Sequence, residues 1–205
     1  DVTIRHPPCL YTLGHYERRA LGRPTQKERQ IILGLRLMRG FRYLLIDHPA
    51  SEVTFGVSRS FVPDPNEPWR NFPLKVDEGD NYRLEVMAEI PLAGRIRRVK
   101  IDTAASCNLY VGRGVWQDLS REVRIVGTSR SRSKMFSGWT DVEIATVEQL
   151  QVGSRTLPTA TIAVHDERVD RKSDTVLLGM ANFLDTAIIL DFEHHLFWVR
   201  HLQDP

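Results

Sequence analysis

Arg98-Val-Lys-Ile-Asp-Thr-Ala-Ala-Ser-Cys-Asn-Leu-Tyr-Val111 brings an acid, a hydroxyl and two small residues to the end of an apolar strand. Upstream of it, Tyr82-Arg-Leu-Glu-Val-Met-Ala-Glu-Ile90 alternates with period two, Leu92-Ala93-Gly94 turns, and Arg95 to Ile101 returns. The pattern predicts a hairpin that delivers Asp102 to the tip of its second strand. An aspartate in that position is a candidate for chemistry, although a strand-end Asp also serves as an ordinary turn residue or helix cap.

Composition bounds what that acid can serve. The chain has 205 residues, enough for one or two domains with a real core. Lys and Arg number 28 against 26 Asp and Glu, a net charge of +2, so no overall field draws it to nucleic acid or to a membrane surface. No apolar run approaches the length of a membrane span, and Asp1 to Pro8 does not have the layout of a signal peptide. The missing initiator Met reads as a processed product or an excised fragment. Cys9 and Cys107 are too few for a disulfide framework and too far apart for a zinc site; a single bridge and two free thiols both stay open.

Working outward, Asp1 to Arg5 reads as a short strand stopped by Pro7 and Pro8. Gly14 to Gln30, polar and broken by Gly22 and Pro24, reads as a solvated helix or loop. Ile31 to Asp47 runs apolar, then Gly34, then a short helical pattern, then a strand ending in an acid, with a turn at His48 to Ser51 and a strand from Glu52 to Phe55. Ser60 to Asp80 holds Pro63, Pro65, Pro68, Pro73 and Gly79 among polar residues, which suits an extended linker. Beyond Asp102, Val111 to Leu119 reads as a helical turn and Val123 to Val126 as a strand. Gly127 to Ser137 then forms an Arg-rich hairpin tip. Val142 to Val147, Leu150 to Val152 and Thr159 to Val164 read as further strands. The run Arg130-Ser-Arg-Ser-Lys134 is expected to be a solvated face rather than a phosphate or nucleic-acid site. His194 and His195 are expected to sit in a solvated turn, without the third ligand a metal needs.

Near its end the chain repeats an earlier layout. Leu177-Leu-Gly-Met-Ala-Asn-Phe-Leu-Asp-Thr-Ala-Ile-Ile-Leu-Asp191 matches Leu33-Gly34 through Asp47, and His195 to Val199 matches Glu52 to Phe55. Gly34 and Gly179 lie 145 positions apart and Asp47 and Asp191 lie 144 apart, a slip of one residue. Repetition on this scale implies two related lobes. Asp47 and Asp191 head turns between strands and are expected to be structural.

Ile101-Asp102-Thr103-Ala104-Ala105-Ser106 resembles the hydrophobic-Asp-Thr-Gly-Ala-Ser signature of the aspartic proteases, the pepsin and retropepsin families, with Ala104 in place of Gly. In that family each lobe also carries a later hydrophobic-hydrophobic-Gly segment that crosses beside the catalytic loop in a ψ-shaped arrangement. Leu177-Leu178-Gly179 resembles that segment for Asp102, and Ile32-Leu33-Gly34 resembles it for another lobe. The resemblance implies a mainly β fold of pepsin- or retropepsin-like β-barrel lobes with short helices. It divides the chain into the C-terminal half of a first lobe (1–60), a linker (61–79) and a complete second lobe (80–205).

The same resemblance implies peptide-bond hydrolysis with Asp102 as a catalytic acid and no metal or other cofactor. Thr103 would brace the active-site loop, Ala104 would let two loops approach, Ser106 would hydrogen-bond the carboxylate from outside, and Leu178 and Gly179 would complete the loop. Met135, Phe136 and Trp139, on the Arg-rich hairpin, are candidates either to close over a polypeptide substrate as a flap or simply to pack. The mechanism needs two acids and only one such motif is present, so the second is expected from an upstream N-terminal fragment of the same precursor or from a second copy in a homodimer. Two other readings stand beside this one: a catalytically inactive relative kept for peptide binding or assembly, and a plain β interaction module.

Overall fold

The computed structural model describes residues 1–5, 16–20, 23–28, 35–79, 83–103, 105, 107–135, 138–165 and 176–200. Short, alternating apolar stretches separated by turn residues produce a mainly β chain: β1 (Val2–Arg5), β2 (Tyr16–Ala20), β3 (Arg23–Glu28), α1 (Leu35–Met38), β4 (Tyr43–Asp47), β5 (Glu52–Gly56), β6 (Trp69–Gly79), β7 (Arg83–Leu92) and β8 (Arg95–Asp102). There follow β9 (Leu109–Gly112), α2 (Arg113–Leu119), β10 (Arg124–Met135), β11 (Gly138–Val152), β12 (Arg155–His165), β13 (Val176–Gly179), a 3-10 turn over Met180–Asn182, β14 (Ala187–Asp191) and β15 (Leu196–Arg200). Thirteen of the strands form one mixed sheet in the order β1-β5-β4-β14-β15-β6-β7-β8-β13-β9-β12-β11-β10; among the described residues, β2 and β3 pair only with each other.

The repeat seen in the sequence becomes a local two-fold. Strands β4 and β14 pair antiparallel with Leu45 opposite Ile189, residues 144 apart and hence equivalent in the repeat. Each continues into a hairpin of the same register: Leu44 faces Phe55 and Ile46 faces Val53 in one, Ile188 faces Val199 and Leu190 faces Phe197 in the other. The turns match in their Asp acceptor and in one positive φ. Asp47 Oδ1 accepts the Ala50 N–H at 3.1 Å and Asp191 Oδ1 accepts the His194 N–H at 2.9 Å, while Ser51 and His195 take positive φ of 53° and 57°. Outside the hairpins, β1 flanks β5 and the first half of β6 flanks β15, so six strands share the two-fold.

The segment expected as a linker over 61–79 contains β6, which serves two parts of the sheet. Trp69 to Pro73 pair with β15, and Leu74 to Gly79 pair with β7. Pro73, which has no N–H to give a ladder, stands where the partner changes. Before β6, residues 57–68 pass from β5 to the opposite edge of the six strands, four strand spacings or roughly 19 Å. That reach explains the extended, proline-rich composition. Phe61 anchors the crossing, its ring edge-on to Tyr43, Trp69 and Trp198 at 5.6, 5.5 and 5.7 Å.

The second half of the sheet curls on itself. Val152 of β11 pairs with Leu92 of β7, closing a ring of β7, β8, β13, β9, β12 and β11. Its inward side chains include Ile90, Leu92, Val99, Leu109, Val147, Leu150, Ile162 and Leu178, all essentially without solvent contact. Helix α2 buries Val115, Trp116 and Leu119 against this core.

Three local expectations change. The stretch from Gly14 to Gln30, expected as helix or loop, holds the β2–β3 hairpin, with Glu17 opposite Lys27 and the reversal between Ala20 and Arg23. The hairpin tip expected from Gly127 is instead the body of β10: a register shift between Ile125 and Gly127 sets Val126 aside, and pairing with β11 continues to Met135. Finally, Val142 to Val152 is one strand whose pairing with β12 skips Gln149, at φ 56°, opposite Pro158.

Candidate active site

Asp102 is the last residue of β8, half-buried, directly after the buried Ile101. Strand β13 lies between β8 and β9, parallel to the first and antiparallel to the second. In that register Gly179 stands opposite Asp102, and Leu178 stands between Ile101 and Leu109. The loop leaving Asp102 therefore turns over the end of β13 before re-entering the sheet as β9. Its first turn is closed by the Ala105 N–H on the Asp102 carbonyl at 3.2 Å. The Gly179 N–H then donates to the Asn108 carbonyl at 2.9 Å and the Met180 N–H to the Ala105 carbonyl at 3.0 Å.

This approach requires glycine at 179. A Cβ there would stand 2.0 Å from the Cys107 carbonyl oxygen and 2.9 Å from that of Ala105. Leu178 is fully buried beneath the loop. Thr103 follows Asp102, half-buried, in the turn; Ala104 and Ser106 lie outside the described residues. Cys107 carries a free thiol, and Cys9 lies outside the described residues. Burial pushes the Cys107 thiol up from its ordinary range; a hydrogen bond from its own backbone offsets part of that rise, and the Asp102 charge adds to it.

Two buried side chains to which the sequence assigned no role hold the loop from behind. Asn182 donates to the Asn108 and Gly179 carbonyls, both at 2.7 Å, and accepts from the Asn108 amide at 3.2 Å. Asn108 Oδ1 accepts the Thr161 N–H of β12 at 2.8 Å. Tyr110 of β9 stacks on the buried His165 at 4.9 Å, in a cluster with Val142, Ala163, Cys107 and Leu177.

The hairpin of β10 and β11 is the long arm of the sheet. Met135 pairs with Gly138 and Lys134 with Trp139 near its end, and Phe136 lies outside the described residues. Strand β10 is an edge, exposed along Arg124 to Arg132, and two of its charges meet partners across the pair: Arg124 with Glu148 at 2.9 Å and Arg132 with Asp141 at 3.2 Å. Ile32, Leu33 and Gly34 lie outside the described residues. Asp47 and Asp191, far from Asp102 in the sheet order, act as turn acceptors. Among the described residues no group of three His, Cys, Asp or Glu side chains is placed to hold a metal ion, and no helix is long and apolar enough to cross a membrane.

No protein-family model and no curated protein matches the chain. Among solved structures, a retropepsin-like aspartic protease from Rickettsia conorii is similar over 68% of this chain and 98% of that one, at 11% identity and a TM-score of 0.40. The basic 7S globulin from soybean is similar over 89% of this chain at 12% identity and a TM-score of 0.42. Conglutin gamma, a basic 7S globulin from lupine seeds, is similar over the same share at 12% identity and a TM-score of 0.47. The chain spans 59% of the length of each globulin.

Proposed function

We propose that the chain forms part of an aspartic endopeptidase and contributes Asp102 as one of two carboxylates that activate water for peptide-bond hydrolysis. The observation that carries this reading is the position of Asp102: a strand-end carboxylate whose loop is pressed onto Gly179 by a strand inserted between β8 and β9. Such an acid is held in one place by its loop, which acid–base catalysis needs.

In the proposed chemistry two carboxylates about 3 Å apart cannot both ionise and share one proton. The ionised member takes a proton from a bound water, whose oxygen attacks the peptide carbonyl, and the protonated member donates to the developing oxyanion. No covalent intermediate and no metal is required. Thr103, Ala104 and Ser106 would support the loop in the roles the resemblance implies. Met135, Phe136 and Trp139 would close over the substrate from the hairpin of β10 and β11.

The second carboxylate comes, in this reading, from another polypeptide. The matched registers of 43–56 and 187–200 support residues 1–60 as the closing half of a first lobe and 80–205 as a second lobe. That favours an N-terminal fragment of the same precursor over a second copy of this chain. One sequence feature favours a different reading: Ala104, where the signature has Gly, fits a relative kept for peptide binding or assembly without turnover.

Specific activity measured against chain concentration, with and without a pepstatin-type inhibitor, tests the proposal. Inhibitor-sensitive cleavage that appears only with the upstream fragment supports the favoured arrangement, and cleavage that rises with concentration and saturates supports the homodimer. Cleavage that is insensitive to the inhibitor, or absent under every arrangement, overturns the enzyme reading.

A further inference from the structure

The loop that presents Asp102 is fastened by side chains 74 positions apart in the sequence. Asn108 and Asn182 are both buried, at 8% and 2% exposure. Both N–H bonds of Asn182 are committed, one to the Asn108 carbonyl and one to the Gly179 carbonyl. Turning that amide over would set its oxygen against two carbonyl oxygens, so the hydrogen bonds fix its orientation. Asn108 passes the connection on, its amide donating to Asn182 Oδ1 and its oxygen accepting from the Thr161 N–H and, at 3.3 Å, the Thr161 hydroxyl. Arg155 donates to the Asn182 carbonyl at 2.6 Å and ties the 3-10 turn to the start of β12.

We infer that Asn182 and Asn108 are positioning residues, a buried amide clamp that sets how far the Asp102 loop settles onto Gly179 and so where the Asp102 carboxylate is held. The catalytic consequence rests on the proposed role of Asp102; the clamp itself does not. A carbonyl of the loop, one of the strand end and a backbone N–H of β12 meet in these two side chains, so loss of either amide leaves buried partners unmade. Among the described residues, two backbone hydrogen bonds, from the Gly179 N–H to Asn108 and from the Met180 N–H to Ala105, also hold the loop to the end of β13 and the turn that follows it.

Cys107 is a reporter inside the loop that needs no peptidase activity. The test is the alkylation rate of Cys107 by iodoacetamide in the full chain, with peptide mass spectrometry separating it from Cys9. Asn182→Ala and Asn108→Ala should each raise that rate about tenfold or more, well below the melting transition. Val53→Ala, a buried truncation in β5, should lower the melting temperature and leave the rate unchanged. In any preparation that cleaves peptide, Asn182→Ala should lower kcat far more than it alters KM. Wild-type labelling rates in folded Asn182→Ala would overturn the clamp, even if Asp102 proves catalytic. Faster labelling together with turnover that survives loss of the Asp102 carboxyl would keep the clamp and remove Asp102 from the proposed catalytic role. If the Asn variants do not fold, amide exchange of the wild type decides. Gly179 and Met180 N–H should exchange as slowly as those within β8, and exchange at the rate of an exposed turn would contradict the clamp.

Discussion

Gly179 has backbone atoms where a methyl group would stand, the Cys107 carbonyl oxygen at 2.0 Å and the Ala105 carbonyl oxygen at 2.9 Å from the position of a Cβ. Backbone cannot move aside as a long side chain can, so Gly179→Ala must lift the loop. The expected cost is about 1–3 kcal/mol, read as a lower midpoint in denaturant unfolding. An unchanged midpoint would show that the loop is not seated on β13. His194 poses a different residue-scale test. Its Nδ1 lies 2.8 Å from Asp191 Oδ2, and that hydrogen bond, with the Asp191 charge, raises its pKa above the ordinary 6.5. The folded state therefore prefers the charged ring. Its stabilisation is complete below about pH 6.5 and disappears as pH rises through the raised value. His194→Gln should lower the melting temperature more at about pH 5.5 than at about pH 8.5, and equal losses would contradict the pairing. His48, whose pKa burial lowers, acts in the opposite sense and is present in both proteins, so it cancels from the difference.

Elements were legible where one face is apolar. The alternation over Arg83 to Ile90 and the apolar run Ala187 to Leu190 carry a burial signal, and both lie in strands. Strand β10 is exposed from Arg124 to Arg132 and carries no such signal, which is why its pairing with β11 had to come from the structure. The β2–β3 hairpin is likewise polar along its length. The candidate acid was legible because Asp102 ends an alternating strand. The clamp was not, because an Asn reveals nothing until its partner is known, and these partners are brought together only by β13 entering between β8 and β9. The strap over 57–68 shows the same division: its prolines foretold an extended path, and its anchor depends on Phe61 meeting rings from three strands. Phe61→Ala should cost about 2–4 kcal/mol and shift the fluorescence of Trp69 and Trp198. Loss of stability without a spectral change would mean that the ring does not seat there.

Across the whole molecule, two constructions meet in one sheet. Six strands carry a local two-fold through Leu45 and Ile189, and a ring of six strands beside them carries Asp102 at the end of β8. The two-fold half of the sheet is symmetric in register and in turn chemistry, down to the acids Asp47 and Asp191. The ring supplies the asymmetric feature, a single strand-end carboxylate on a loop sealed against glycine. The proposed peptidase activity would depend on that carboxyl being able to exchange a proton, while the fold depends on the backbone around it. Asp102→Asn separates the two, because the amide nearly matches the carboxylate in shape and cannot act as the base. The measurement is peptide cleavage by the purified Asp102→Asn protein, assembled as the active wild type is and compared at equal concentration, with melting temperature recorded in parallel. Abolished cleavage with an essentially unchanged melting temperature is the predicted result, and retained turnover in the pure variant would contradict the assignment.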